Sequence, residues 1–222
     1  MQYEYTDMKR QLSSTVIEIL DIIQDEGFIA GGTARYYASS LTNEPSPNDI
    51  DVYVKEKKFF HSIVSRLERR GWNRKDDRRF SIRFAKKIHG KEHVVELIKP
   101  FNNEFLRTYG PPMIVIDRFD FTVAKAALDH DSALKGKILV ARDFLVDNRK
   151  GLLRISTQKT SLRSPITVMV RLMQYVRNGY HISIYELIVI LRCYMAHPCF
   201  CLNFWMYELK HRRHAKVTLG PR

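Results

Sequence analysis

Cysteine is scarce in this chain: three in 222 residues, Cys193, Cys199 and Cys201, all in the last third. Thiols so few and so confined cannot build a disulfide framework, and they imply a reducing compartment such as the cytoplasm. Long apolar runs are missing too, so no segment reaches the roughly 20 residues that a membrane-spanning helix needs. Met1-Gln-Tyr-Glu-Tyr-Thr-Asp7 has neither the basic start nor the apolar stretch of a secretion signal. Internal repeats and low-complexity segments are absent. Acidic residues are in deficit, 24 against 37 Lys and Arg, for a formal charge of +13 at pH 7. That imbalance implies attraction to a polyanion, and nucleic acid is the natural candidate. A membrane surface is disfavoured because no basic amphipathic segment stands out. Apolar residues make up 45% of the sequence, enough for a packed core in one substantial domain, or a head with a smaller second unit.

Hydrophobic spacing predicts the elements. Val16, Ile19, Leu20 and Ile23 recur at helical intervals in a leading helix over 6–25. A short apolar strand then runs into Gly31-Gly32, followed by a helix from Ala34 and a loop, Thr42-Asn-Glu-Pro-Ser-Pro-Asn48. An acidic strand follows, then a helix over 57–70 that ends at Gly71. A hairpin joins 80–88 to 93–98 around His89-Gly90. Ile138-Leu-Val140 reads as the last strand of the first unit, and helices are expected near 164–178, 183–196 and 200–213. The order implies an α/β (α+β) head with a mixed central sheet over 1–155 and a small all-helical unit over 156–222.

The run Asn48-Asp-Ile-Asp-Val-Tyr-Val-Lys55 carries the chemistry. Alternation along a strand puts Asp49, Asp51 and Tyr53 on one face, with the two carboxylates roughly 7 Å apart along the strand. Such a pair suits a hard cation with oxygen ligands, and it is costly unless a cation or basic partner neutralises it. A lone Asp-x-Asp also fits a solvated strand end. The context is Gly31-Gly-Thr-Ala-Arg35 upstream, where glycine amides, the Thr33 hydroxyl and the Arg35 guanidinium suit a phosphate. Glu96, the one acid in the apolar part of Lys91–Lys99, is a seat for a third carboxylate. Basic residues interleave with aromatics over 66–83, which suits a nucleic-acid groove with Trp72 available for stacking and equally suits a solvated loop. Lys150, Arg154, Lys159 and Arg163 form a second basic stretch.

Taken together, Gly31-Gly-Thr-Ala-Arg35, Asp49-Ile-Asp51, Glu96, Arg118-Phe-Asp-Phe-Thr-Val-Ala124 and Ser164–Ser183 occur in the order seen in one known family. The chain resembles the nucleotidyltransferases of the DNA polymerase beta superfamily, closest to the head and neck of CCA-adding enzymes and bacterial poly(A) polymerases. The likeness runs over about residues 25–183. It implies magnesium, two ions, on Asp49, Asp51 and Glu96, which are also the catalytic acids. It implies an NTP, ATP among them, bound through Gly31, Gly32, Thr33, Arg35, Arg118 and Asp120, with Asp120 facing the ribose. It also implies RNA as acceptor, such as a tRNA 3′ end, touched by Arg163 and Arg171.

The departures matter as well. Phe119 and Ala124 replace an Arg and an Asn of the family's second block. The neck's Glu-Asp-x-x-Arg, which reads the incoming base, aligns with Arg163, Ser164 and Thr167, a set that cannot present the same acceptors and donors. Three functions therefore stand open: nucleotide addition to an RNA 3′ end, nucleotidylation of a protein or small molecule, and RNA binding by a non-catalytic relative. A partner protein could supply the grip on the acceptor. Cys193, Cys199, Cys201, His211 and His214 offer zinc ligands, but the cysteines sit among apolar neighbours where they would equally serve as core residues.

Overall fold

The first helix starts at a cap. The Ser13 hydroxyl accepts a hydrogen bond from the Val16 N–H (3.3 Å), and Val16, Ile19, Leu20 and Ile23 then follow on the buried side. The computed structural model describes residues 2–42, 44–102, 107–156 and 165–196. In it α1 spans Ser14–Ile23 rather than beginning at Thr6, because Tyr3–Asp7 forms a strand, β1. Sequence periodicity missed that strand, since its partner, Lys137–Ala141, lies far along the chain.

The other strands of the main sheet are β2 (Gly27–Ala30), β3 (Asp49–Val54), β4 (Asn73–Asp77), β5 (Ser81–Ile88), β6 (Lys91–Ile98) and β7 (Ala126–Leu128), with Lys137–Ala141 as β8. The eight strands lie in the order β1-β8-β7-β2-β3-β6-β5-β4. Only β3 and β6 run parallel; the other neighbours are antiparallel. The β5–β6 hairpin turns at His89-Gly90, both with positive φ (50° and 79°), as a tight two-residue turn requires. A separate pair of two-residue strands, β9 (Leu152–Leu153) and β10 (His181–Ile182), is parallel.

Alternation gives the sheet two different faces. Ile29, Ile50, Val52, Val54, Val95 and Leu97 pack against α1 and against α3 (Phe60–Arg69), whose Ile63 and Leu67 are fully buried. The opposite face is covered in part. There Phe28, Ala30, Ala127 and Leu139 pack on Val115 and Ile116 of α4 (Pro112–Ile116), and Tyr53 stacks on Phe28 with ring centroids 5.6 Å apart. This second face bears the acids. Short helices α2 (Gly32–Ala38), α5 (His130–Leu134) and α6 (Arg142–Arg149) complete the head, and α7 spans Pro165–Arg177.

The chain divides into two compact units, Met1–Ser183 and Ile184–Arg222. The helices expected after residue 156 are thus shared between them: α7 belongs to the first, and α8 (Ile184–Ala196) to the second. No helix of the described residues is long and apolar enough to cross a membrane. The helix expected over 200–213 lies outside the described residues.

Candidate active site

Strand pairing brings the three acids to one place. In the parallel β3–β6 pair, Asp51 stands directly opposite Glu96 and Asp49 opposite Val94. Residues two apart on a strand share a face, so Asp49, Asp51 and Glu96 all project from the face opposite the main core. The carboxylate of Asp51 also lies against the glycine turn. A β-carbon built on Gly31 would fall 2.8 Å from Asp51 Oδ2, and Gly31 has φ +71°, so this position needs glycine on both counts. The closeness has an electrostatic signature. Burial, then Asp49 and Glu96 as neighbouring negative charges, push the Asp51 carboxyl up to about 7, while Arg171 pulls the other way.

Basic side chains neutralise part of this charge. Arg78 is 3.1 Å from Glu96 and also donates to Asp76 at 2.7 Å, and Arg83 lies 4.0 Å from Glu96. Asp76, then burial working against it, then Glu96 set a raised pKa for Arg78, so it stays charged. Asp120, buried at the end of the segment after α4, takes an ion pair from Arg171 of α7 at 2.8 Å. Arg171 thereby joins α7 to the acidic face. Arg118 is half-buried, and its N–H donates to the Val115 carbonyl (3.1 Å).

Thr33 and Arg35 both have partners within the protein. The Thr33 hydroxyl, 1% exposed, donates to the Asp49 carbonyl (2.7 Å), which ties the start of α2 to the acidic strand. Arg35 is buried in an ion pair with Glu44, its guanidinium 4.7 Å from the centre of the Tyr175 ring. Glu44 in turn accepts from the Tyr180 hydroxyl (3.3 Å), which accepts from Asn148 Nδ2 (2.8 Å). Sequence reading missed Glu44, Tyr175 and Tyr180. The one available signal was an acid inside a Pro-rich loop nine residues after a buried-type Arg.

Trp72 is 1% exposed and its indole N–H donates to Glu18 (3.3 Å), so it cannot stack on a ligand. Arg163 lies outside the described residues, as do Cys199, Cys201, His211 and His214. Among the described residues, the group of potential ligands whose donor atoms all lie within 4.8 Å of one another is Asp25, His130 and Asp131, away from this face, and exposed groups of this kind are common without a metal. Asp49, Asp51 and Glu96 stand more widely, with Glu96 drawn toward Arg78. Their donor set nevertheless suits a hard divalent cation: carboxylate oxygens only, with a like-charge repulsion at Asp51 that a cation would relieve.

The sequence profile described as "Gad2: Gabija anti-defense 2 family protein" matches residues 3–150, more than half of the chain. The chain belongs to the Gabija anti-defense 2 family. No curated protein matches it. Among solved structures, this family member is similar to the Thermotoga maritima CCA-adding enzyme complexed with tRNA (TM-score 0.61, 15% identity, 86% of this chain and 45% of that one). A CCA-adding enzyme with CTP gives TM-score 0.60 at 14% identity, over 86% of this chain and 46% of that one. A tRNA nucleotidyltransferase complexed with a primer tRNA and an incoming ATP analog gives 0.55 at 16%, over 78% and 48%. This member of the Gabija anti-defense 2 family therefore has a nucleotidyltransferase-like fold, and it spans less than half the length of those enzymes.

Proposed function

We propose that the chain is a magnesium-dependent nucleotidyltransferase that moves a nucleoside monophosphate from an NTP to a hydroxyl acceptor, most simply the 3′ end of an RNA such as tRNA. The observation that carries this reading is the register of Asp51 opposite Glu96, two residues from Asp49 and in contact with the Gly31 turn. Asp49, Asp51 and Glu96 would hold the metal. Magnesium supplies, when bound, Lewis-acid activation of the acceptor hydroxyl and charge neutralisation on the departing pyrophosphate. The Gly31 and Gly32 amides, with Arg118, would receive the triphosphate. Thr33 and Arg35 serve this role indirectly, by fixing the turn against β3 and against α7. Asp120 would face the ribose, with Arg171 setting its orientation.

The test is incorporation of labelled nucleotide into RNA in the presence of magnesium, with each of the four NTPs in turn. Asp49→Ala combined with Asp51→Ala should abolish incorporation; label retained at the wild-type level would sink the assignment. A second reading is favoured by the family's description, which names an action against a defence. On that reading the acceptor is a component of the opposed defence, protein rather than RNA, and a partner protein presents it. Offering tRNA, bulk RNA and protein in the same assay separates the two, since label found only in protein would defeat the RNA reading.

A further inference from the structure

At the margin of the acidic face two aromatic rings stand open to solvent. Phe80 is 44% and Phe101 38% exposed, and their rings meet edge to face with centroids 6.0 Å apart. The guanidinium of Arg79 lies 5.0 Å from the centre of the Phe80 ring. The main chain carrying the rings is hydrogen-bonded on both sides. The Lys99 N–H donates to the Phe80 carbonyl (2.9 Å). The Phe101 N–H donates to the buried Thr108 hydroxyl (2.7 Å), which itself donates to the Lys99 carbonyl (2.7 Å). Residues flanking Phe80 in the chain reach the acids: Arg78 lies 3.1 Å from Glu96, and the Ser81 hydroxyl donates to Glu96 at 3.5 Å.

Exposed rings edged by a guanidinium group suit unpaired bases. Every base has a face to stack, while the cations hold the phosphates between them. A duplex keeps its bases stacked internally and gains nothing from such rings. Among the described residues beside the rings, Asp76 and Asp77 are paired with Arg78, Arg74 and Lys99, and Glu96 with Arg78, while the chain as a whole carries +13. We propose that Phe80, Phe101 and Arg79 form a stacking platform for single-stranded RNA, which guides the acceptor strand toward Glu96. The identity of the strand as RNA, and as acceptor, rests on the RNA reading above; a platform for an unpaired strand does not.

The experiment is fluorescence anisotropy of a labelled 12-residue oligouridylate with the full chain, beside a DNA strand of equivalent sequence and an RNA hairpin stem. All three substitutions, Phe80→Ala, Phe101→Ala and Arg79→Ala, fall at exposed positions, and melting curves verify that each variant folds. Phe80→Ala and Phe101→Ala should each weaken single-strand binding about tenfold, leave hairpin binding unchanged, and keep the melting shift induced by magnesium and ATP. Phe80→Tyr should restore binding. Unchanged single-strand affinity in both Phe variants would overturn the proposal, as would equal loss for strand and hairpin, or tighter binding of DNA than RNA. Loss of strand binding in a protein that shows no magnesium–ATP shift supports the platform while removing the nucleotidyltransferase reading. A wild-type chain that labels protein and binds no single strand would overturn the platform.

Discussion

Gly31 and Asp51 touch, and a single added atom tests what that contact does. In Gly31→Ala the new methyl would fall on the Asp51 carboxylate and the backbone would be forced from φ +71°. We expect a loss of about 1–2 kcal/mol in stability from the left-handed backbone, read by denaturant melts. On the proposed function, nucleotide incorporation should fall by about 100-fold, since a misplacement of about 1 Å in a catalytic constellation is costly. Asp51→Asn tests the charge itself. The Asp51 carboxyl, raised to about 7 in the folded chain, binds its proton more tightly there than in the unfolded chain. Its contribution is therefore fully present below the ordinary carboxylate range and is lost as pH rises through about 7. In metal-free buffer Asp51→Asn should match the wild type near pH 4. It should then gain stability up to pH 8, by about 1–3 kcal/mol. Thermal melts across that pH range check the sign, and magnesium should stabilise only the wild type.

Among the elements, α7 is fastened to the head by buried charge. Arg35 on α2 lies between Glu44 and the Tyr175 ring, and Tyr175 also meets Phe121 and Tyr180 edge to face. Glu44→Ala would strand the Arg35 charge in a buried site, and should cost about 3–5 kcal/mol in urea unfolding. Replacing Arg35 and Glu44 together with Met and Leu should cost much less, because no buried charge is then left alone. This network was illegible in the sequence. It joins residues 35, 44, 148, 175 and 180, which no local period connects. The β5–β6 hairpin and the Asp49–Val54 strand were legible, since turn chemistry and two-residue alternation are local signals. Strand β1 and the all-exposed β4 were not, because their pairing partners rather than their own patterns define them. The acids could be placed on one strand face from alternation alone. That Arg78 would sit on Glu96, and that Trp72 would be buried, depended on packing.

At the scale of the whole molecule, nucleotide binding should appear as stabilisation. Magnesium with ATP at about a hundredfold excess over its Kd would add about 2.7 kcal/mol. For a chain of this size the melting temperature should rise by roughly 5–10 °C. Differential scanning fluorimetry would show this in the wild type and not in the Asp49→Ala, Asp51→Ala double variant. An absent shift over a wide concentration range would favour a non-catalytic relative. The margin of the sheet bears on whether another strand can add to it at β4. Strand β4, Asn73-Arg-Lys-Asp-Asp77, is exposed along its whole length, and its register with β5 shifts between Arg74 and Asp76. An outermost strand is a template on which another chain can add. Here the template is interrupted and clothed in charges of both signs, several already engaged with each other. An approaching strand would have to break the Arg74–Asp77 and Lys99–Asp77 pairs and find a matching rhythm across a dislocation. The sheet thus has a selvedge: it ends at β4 without inviting a ninth strand.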